Sequence, residues 1–336
     1  MTPELLPRAR LADVVMGKTP LVGSRLDPSA PRGLFSPIES RVHLGIPYGD
    51  LAEDEARYLR DRDPAKDAGV VLRALLASAL AQEEQNAHPA PKIVSAKEHN
   101  LSIEEALDAL FEPPGDRGRA RMVHFVHPHA LNLASFDADL AKRLAEADLV
   151  LPDGIGIRIA AQILGVTMRH NLNGTDLLPL LCRKATEAGV HLVLIGAAPG
   201  VAEQCAQKLI EGSPGLSIPI IAHGFIDKNE AKAIAEKVAK LGRSIVLVGM
   251  GSPLQERFAW EHLAHLPEAT VITVGGLFDF FSGRVPRAPL AWRELGLEWL
   301  FRLLQEPRRL AKRYLVGNPL FILLALKQKV TGSSVE

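Results

Sequence analysis

Cysteine is nearly absent from this chain of 336 residues: Cys182 and Cys205 are the only two, each inside a stretch of helical periodicity. They form no CxxC pair and join no Cys/His cluster, so a disulfide framework and a zinc ribbon are excluded, and buried free thiols in a reducing compartment are expected. Aromatic residues are scarce as well, at 5%. No apolar run approaches the ~20 residues needed to cross a bilayer, and no apolar h-region follows the N-terminal charges, so neither a transmembrane nor a secreted protein is expected. Net charge is also missing, with 39 Lys+Arg against 39 Asp+Glu. That zero hides an asymmetry, because from Arg284 to Lys329 ten basic residues face three glutamates. This +7 pole suits nucleic acid, anionic lipid or a diphosphate, and the apolar residues interleaved with it favour a lipid surface over nucleic acid.

What is present is an ordinary folded-protein composition, 47% apolar and 23% charged, with a mean hydropathy of +0.08. The length exceeds a usual single domain, so one domain of ~200 residues with appendages is expected. Residues 1–91 read as an N-terminal extension to which no function is assigned. They are rich in Pro and Gly up to Tyr48, helical from Asp67 to Glu84, and closed by a polar linker from Gln85 to Pro91.

From Lys92 the pattern becomes a strict alternation. Ser102 and Glu105 form a capping box for a helix through Leu110, and Arg121 to Val126 reads as a buried strand ending in His127-Pro128-His129. Strand Leu149 to Leu151 runs into Pro152-Asp153-Gly154, and Asn173-Gly174-Thr175-Asp176 caps a helix to Ala188. Strands at His191–Ile195, Ser217–Ala222, Ile245–Val248 and Val271–Val274 follow, three of them closing in glycine turns around Gly196, Gly249-Met250-Gly251 and Gly275-Gly276. The prediction is an α/β fold: a Rossmann-like parallel sheet with helices on both faces over residues 92–283, followed by a basic, amphipathic helical appendage over 284–330. Ligands bind outside the carboxyl ends of such strands, where glycine turns let backbone N–H groups approach a phosphate. These turns therefore read as those of an enzyme using a nucleotide sugar.

Asp153 stands between a strand and a helix, so it either caps the helix or faces the cleft as a general base. Thr175 and Asp176 have the same two readings, cap or ligand contact. His127 and His129 lie two apart in extended chain, but no third metal ligand is evident. Asp61-Arg62-Asp63 and Asp137-Ala138-Asp139 follow no core strand and read as solvated or capping charges. No metal and no cofactor is expected.

From about Lys92 to Lys329 the chain resembles the WecG/TagA/CpsF family of bacterial glycosyltransferases. The resemblance rests on Leu151-Pro152-Asp153-Gly154-Ile155-Gly156, Asn173-Gly174-Thr175-Asp176-Leu177, Gly249-Met250-Gly251-Ser252-Pro253-Leu254-Gln255-Glu256, Gly275-Gly276-Leu277-Phe278-Asp279-Phe280 and Arg284-Val285-Pro286-Arg287-Ala288-Pro289. It implies inverting, metal-independent transfer of a sugar, often N-acetylmannosamine, from a UDP-sugar to a polyprenyl-diphosphate-linked saccharide, by a peripheral protein at the cytoplasmic face of the membrane. It makes Asp153 the catalytic base. It places Thr175, Asp176, Gly196, Gly251, Gln255, Glu256, Gly275, Gly276 and Asp279 at the donor, with Phe278 and Phe280 packing the core. Arg302, within the basic appendage, joins them as a diphosphate ligand. His127, His129 and Asn132 are expected at the cleft too, although the family shows Thr-Pro-Asn and a later His there, so their contacts do not carry over.

Two rivals follow from the same residues. A nicotinamide-dependent oxidoreductase is disfavoured because Gly196-Ala197-Ala198-Pro199-Gly200 departs from GxGxxG. A non-catalytic membrane adaptor of the same fold is the other, suggested by the altered His127–Asn132 stretch. A homo-oligomer is compatible with the sequence.

Overall fold

The computed structural model describes residues 8–44, 51–80, 90–112, 118–289, 292–293 and 295–332. Most of the expected linker from Gln85 to Pro91 lies outside them. The chain forms two compact units, one of Met1–Ala87, Thr167–Asn171 and Ala288–Arg308, the other of His88–Val166, Leu172–Arg287 and Arg309–Glu336.

The second unit is built on a parallel sheet of six strands: β3 (Arg121–Val126), β4 (Leu149–Pro152), β5 (His191–Gly196), β6 (Ile220–Ala222), β7 (Ser244–Gly249) and β8 (Ala269–Thr273), in the order β4-β3-β8-β7-β5-β6. Every residue of β3, β4, β7 and β8 is buried, and these strands are largely apolar, although β3 also carries Arg121 and His124. Alternate side chains serve opposite faces. Val123, Phe125, Leu192, Leu194, Leu247 and Ile272 pack with helices Ile103–Phe111, Gly174–Ala188 and Val201–Gly212, and Met122, Val193, Ile195, Val246 and Val271 pack with Lys228–Leu241 and Ala259–Leu263. Each such aliphatic side chain stabilises the fold by about 1.5–3 kcal/mol relative to exposure. The expected helix-covered parallel sheet is thus observed. Its edge strand β6 is shorter than the Ser217–Ala222 stretch suggests, because it has one neighbour only, β5.

An antiparallel hairpin, β1 (Lys92–Ile93) with β2 (Ala96–Lys97), precedes the sheet and has no counterpart in the sequence reading. It is tied to the C-terminal helix Gly317–Thr331 by Gln328, whose Nε2 donates to Lys92 O at 2.9 Å and whose Oε1 accepts from Val94 N at 2.8 Å. That helix packs on helices Pro128–Ala134 and Ile155–Leu164 through Phe321, Ala325 and Gln328, spaced four and three apart on one face. Its other face leaves Leu323 62%, Leu326 43% and Val330 86% exposed.

The first unit has its own polar anchor. Glu55, buried in helix Leu51–Arg60, accepts from Ser24 Oγ at 2.7 Å, Ser36 Oγ at 2.9 Å, Arg25 N at 2.7 Å and Leu26 N at 2.9 Å. Burial alone would raise its pKa, but these four donors outweigh burial and hold it below the usual value. They fasten a loop in which Gly23 and Gly33 touch, since a Cβ on Gly23 would lie 2.3 Å from Gly33 N. Helix Glu298–Gln305 also belongs to this unit, with Trp292 edge-on to Phe301 at 5.6 Å. The helix predicted from Asp67 to Glu84 runs from Pro64 to Leu80 among the described residues.

Candidate active site

The glycine turns close against one another at the carboxyl end of the sheet. Gly196 pairs with Gly249 across β5 and β7, and a Cβ on Gly196 would sit 2.3 Å from Gly249 O, so no larger residue fits. Ala197, at φ 59, donates its N–H to Gly249 O and accepts from Gly224 N, both at 2.8 Å.

Gln255 and Glu256 lie beneath these turns. Gln255, 2% exposed, accepts with Oε1 from Gly251 N at 3.2 Å and Gly275 N at 2.9 Å, so one amide fixes the loops after β7 and β8 together. Its Nε2 donates to Glu256 Oε1 at 2.8 Å, which also accepts from Ser252 Oγ at 2.8 Å. Glu256 is fully buried, and its Oε2 has no hydrogen-bond partner among the described residues. Burial raises its pKa, an effect that the bonds from Gln255 and Ser252 only partly offset. Gly275 (φ 58) and Gly276 form the turn after β8; Phe278 is in the core and Phe280 is half-buried. Asp279 lies 3.8 Å from Arg284 Nη1.

Asp153 occupies the turn after β4. Its N–H donates to Val126 O at 2.7 Å, which sets this turn beside the end of β3. The two turns are in contact: a Cβ on Gly156 would lie 2.5 Å from Pro128 Cγ, so glycine is required there. Gly154, at φ 99, is the residue that leads into the helix, and it makes no side-chain cap. Asp153 itself is half-buried at this junction.

Asn173 caps helix Gly174–Ala188 by accepting from Thr175 N at 2.8 Å, as its position predicts. A Cβ on Gly174 would make only ordinary contact, 3.5 Å, with Phe125 and Leu277, so the first turn of this helix abuts both side chains. Thr175 and Asp176 are buried, and Asp176 accepts a salt-bridging hydrogen bond from Arg287.

The histidine turn is where the sequence reading is most incomplete. His127 Nδ1 accepts from Ala130 N at 3.1 Å and caps helix Pro128–Ala134, while its Nε2 lies 2.8 Å from Nη2 of Arg313 in the C-terminal segment. His129 stacks on His127 with ring centroids 6.1 Å apart, and burial, helped by the charge of Arg313, lowers its pKa to about 4, so it is neutral at pH 7. Asn132 Nδ2 donates to Gly317 O at 2.7 Å. All three altered positions thus face the segment from Arg309 onward. Arg302 lies in the other compact unit, its Nε 3.8 Å from Glu306 Oε2.

Three further observations complete the polar map. His124, buried in β3, receives the Trp260 Nε1–H on Nε2 at 3.2 Å and so donates from Nδ1 to Thr273 Oγ1 at 2.9 Å; no pattern in an apolar strand reveals such a pair. The aspartates of Asp137-Ala138-Asp139 bond Arg257 and Arg143, and Asp63 pairs with Lys66. Among the described residues no group of three or more His, Cys, Asp or Glu side chains is gathered at one point, and no helix is long and apolar enough to cross a membrane.

The Asp153 turn after β4 and the glycine turns after β5, β7 and β8 lie at the carboxyl end of one parallel sheet, the edge at which α/β folds of this kind bind ligands. Residues 91–335 match the Glycosyl transferase WecG/TagA/CpsF family, and the chain belongs to that family of glycosyltransferases. It is 32% identical over 186 residues, 55% of this chain and 71% of the relative, to the N-acetylglucosaminyldiphosphoundecaprenol N-acetyl-beta-D-mannosaminyltransferase of Bacillus spizizenii strain W23. To the protein of the same name from Bacillus subtilis strain 168 it is 27% identical over 230 residues, 68% of this chain and 88% of the relative. This assignment replaces both the oxidoreductase and the non-catalytic alternatives with a glycosyltransferase.

Proposed function

We propose that the protein moves a sugar, N-acetylmannosamine or a related hexose, from a UDP-linked donor to a polyprenyl-diphosphate-linked saccharide, with inversion and without a metal. The names of the two Bacillus relatives support the acceptor class and the sugar. Asp153 carries the reading. It is a half-buried carboxylate in the turn after β4, beside the end of β3, and in this reading it takes the proton from the acceptor hydroxyl as that oxygen attacks the anomeric carbon opposite the leaving diphosphate.

In this reading Gly196, Gly251, Gly275 and Gly276 bring backbone N–H groups to the donor, and Gln255 and Glu256 serve donor binding by pinning those loops. Thr175, Asp176 and Asp279 complete the donor contacts, and His127, His129 and Asn132 serve the diphosphate and the acceptor. Charge on the departing diphosphate is met by arginine side chains and backbone dipoles. The outward face of helix Gly317–Thr331, with Leu323, Leu326 and Val330 beside exposed Lys312, Lys327 and Lys329, rests on the anionic inner face of the cell membrane, where a lipid-linked acceptor resides. Residues 92–283 act as the catalytic domain and 284–330 as its membrane appendage.

The test is Asp153→Asn in the full chain, assayed with UDP-N-acetylmannosamine and a GlcNAc-diphosphate-lipid. Removing the proton acceptor while nearly preserving size is expected to lower kcat by ~10²-fold or more with donor KM little changed. Near-normal turnover by the folded variant would refute Asp153 as base, and undiminished activity in EDTA is the companion expectation for a metal-independent transfer.

A further inference from the structure

Helix Pro64–Leu80, in the first compact unit, buries one side only. Val70, Ala74 and Ala77, spaced four and three apart, are its buried side chains, and the helix packs on Glu39–Leu44. Its other side presents Ala65, Ala68, Leu72 and Leu75, at intervals of three, four and three, all exposed, with Leu76 beside them. Leu72 is 54%, Leu75 41% and Leu76 44% exposed. An apolar recurrence averaging 3.5 residues on the outside of a helix is the seam by which one helix packs against another. Single exposed leucines are ordinary, whereas three neighbouring ones on one helix face mark an interaction surface.

Charge and side-chain size select what covers this face. Residues 1–87 hold 11 basic against 13 acidic residues, and the charges at the start of the helix are paired, Lys66 with Asp63 and Arg62 with Asp67. An apolar face without a basic border is not drawn to anionic lipid, unlike the C-terminal pole. The seam also runs from small to large, with alanine at 65 and 68 and leucine at 72 and 75. Laid antiparallel on itself about a two-fold axis at Leu72, it sets Ala68 of each copy opposite Leu75 of the other and Leu72 against Leu72. Small then faces large, so the helix axes keep an even spacing. A parallel pairing would set alanine on alanine and leucine on leucine, and the axes would splay. A surface that complements itself under a two-fold rotation is an isologous interface. We infer that helix Pro64–Leu80 is the interface of a homodimer, packed antiparallel on the same helix of a second copy through Ala68, Leu72 and Leu75. The family match begins at residue 91, so the helix lies outside it and the inference does not rest on the glycosyltransferase reading.

A single helix pair is a small interface, so the dimer should exchange with monomer and its fraction should rise with concentration. Sedimentation velocity of the full chain, from low to high micromolar concentration, reads this. Leu72→Glu and Leu75→Glu each place a carboxylate in the seam and are expected to raise the dimer Kd about 10-fold or more. Both side chains are exposed in the single chain, so the variants should melt as the parent does at the lowest concentration, which separates lost association from misfolding. Cross-linking reads the orientation. With the axis at Leu72, the two thiols of Leu72→Cys come within disulfide reach, whereas those of Ala65→Cys stand about 21 Å apart, twice seven residues at ~1.5 Å each. Glutathione disulfide should therefore link copies of Leu72→Cys and not of Ala65→Cys; Cys182 and Cys205 are buried and take no part. A parent that stays monomeric throughout, a Leu72→Glu variant that dimerises as the parent does, or equal cross-linking at both positions would overturn the inference. So would a monomeric parent that loses vesicle flotation on Leu72→Glu substitution, since the face would then belong to lipid.

Discussion

Gln255 offers the sharpest test of how the glycine turns are held. Gln255→Ala removes three hydrogen bonds of 3.2 Å or less, those accepted from Gly251 N and Gly275 N and the one donated to Glu256 Oε1, together with a long one of 3.4 Å donated to Ser252 Oγ. The two glycines are half-buried, so water re-solvates their amides in part, and each lost bond costs about 1 kcal/mol rather than the full burial penalty. The total, about 3 kcal/mol, is a large fraction of the ~5–15 kcal/mol by which a domain is stable. Gln255→Glu separates the acceptor role from the donor role. It retains an oxygen for both glycine amides but sets a second carboxylate against Glu256 Oε1, which now lies 2.8 Å from Nε2. Two carboxylates that close cannot both ionise, so one binds a proton in the folded state that it would release unfolded. A folded pKa raised in this way gives stability that is whole below the unfolded carboxylate pKa and is lost as pH rises. Urea denaturation of parent and both variants at acidic and neutral pH, with donor KM measured alongside, tests this. The reasoning fails if Gln255→Ala lies within ~0.5 kcal/mol of the parent with unchanged KM, or if the Gln255→Glu midpoint does not fall between acidic and neutral pH.

Much of the sheet was legible because a parallel sheet covered on both faces needs largely apolar strands, and Ile245–Val248 in β7, Val271 with Ile272 in β8, and Met122, Val123, Phe125 and Val126 in β3 supply them. The helix starts were legible for a different reason: Ser102 with Glu105, and Asn173, cap through bonds only two or three residues long. Glu256 was not legible. A Gln-Glu pair opening a helix reads as solvent- or ligand-facing, and its burial is decided by the β7 and β8 loops that close over it. The meeting of His127 with Arg313 spans 186 residues and leaves no local trace. Leu320 to Leu326 misled in another way, because seven apolar residues in a row leave helical periodicity nothing to distinguish. Packed and exposed faces coexist in that helix, Phe321 and Ala325 inside and Leu323 and Leu326 outside, so a packed helix and a membrane-facing one are not alternatives.

Two predictions remain. Glu98 is fully buried with neither carboxylate oxygen hydrogen-bonded among the described residues, and burial raises its pKa well above the ordinary value. Its folded form therefore holds a proton as pH rises past the unfolded pKa, costing about 1.4 kcal/mol per pH unit until it ionises, so Glu98→Gln should raise Tm and flatten its decline as pH rises above the ordinary carboxylate range; an unchanged Tm–pH curve would contradict this. The last concerns the outward face of helix Gly317–Thr331. Deleting the segment would uncover helices Pro128–Ala134 and Ile155–Leu164, so loss of binding would not distinguish docking from misfolding. Leu323→Gln, Leu326→Gln and Val330→Gln combined alter only exposed side chains and leave Phe321, Ala325 and Gln328 packed. Full-length protein should float with vesicles of phosphatidylglycerol and phosphatidylcholine, less so at high salt, since each nearby lysine contributes about 1 kcal/mol before screening. The triple variant should stay in the soluble fraction while keeping the parent's melting curve and its turnover of a water-soluble acceptor analogue. Equal flotation of parent and variant would refute docking through this face.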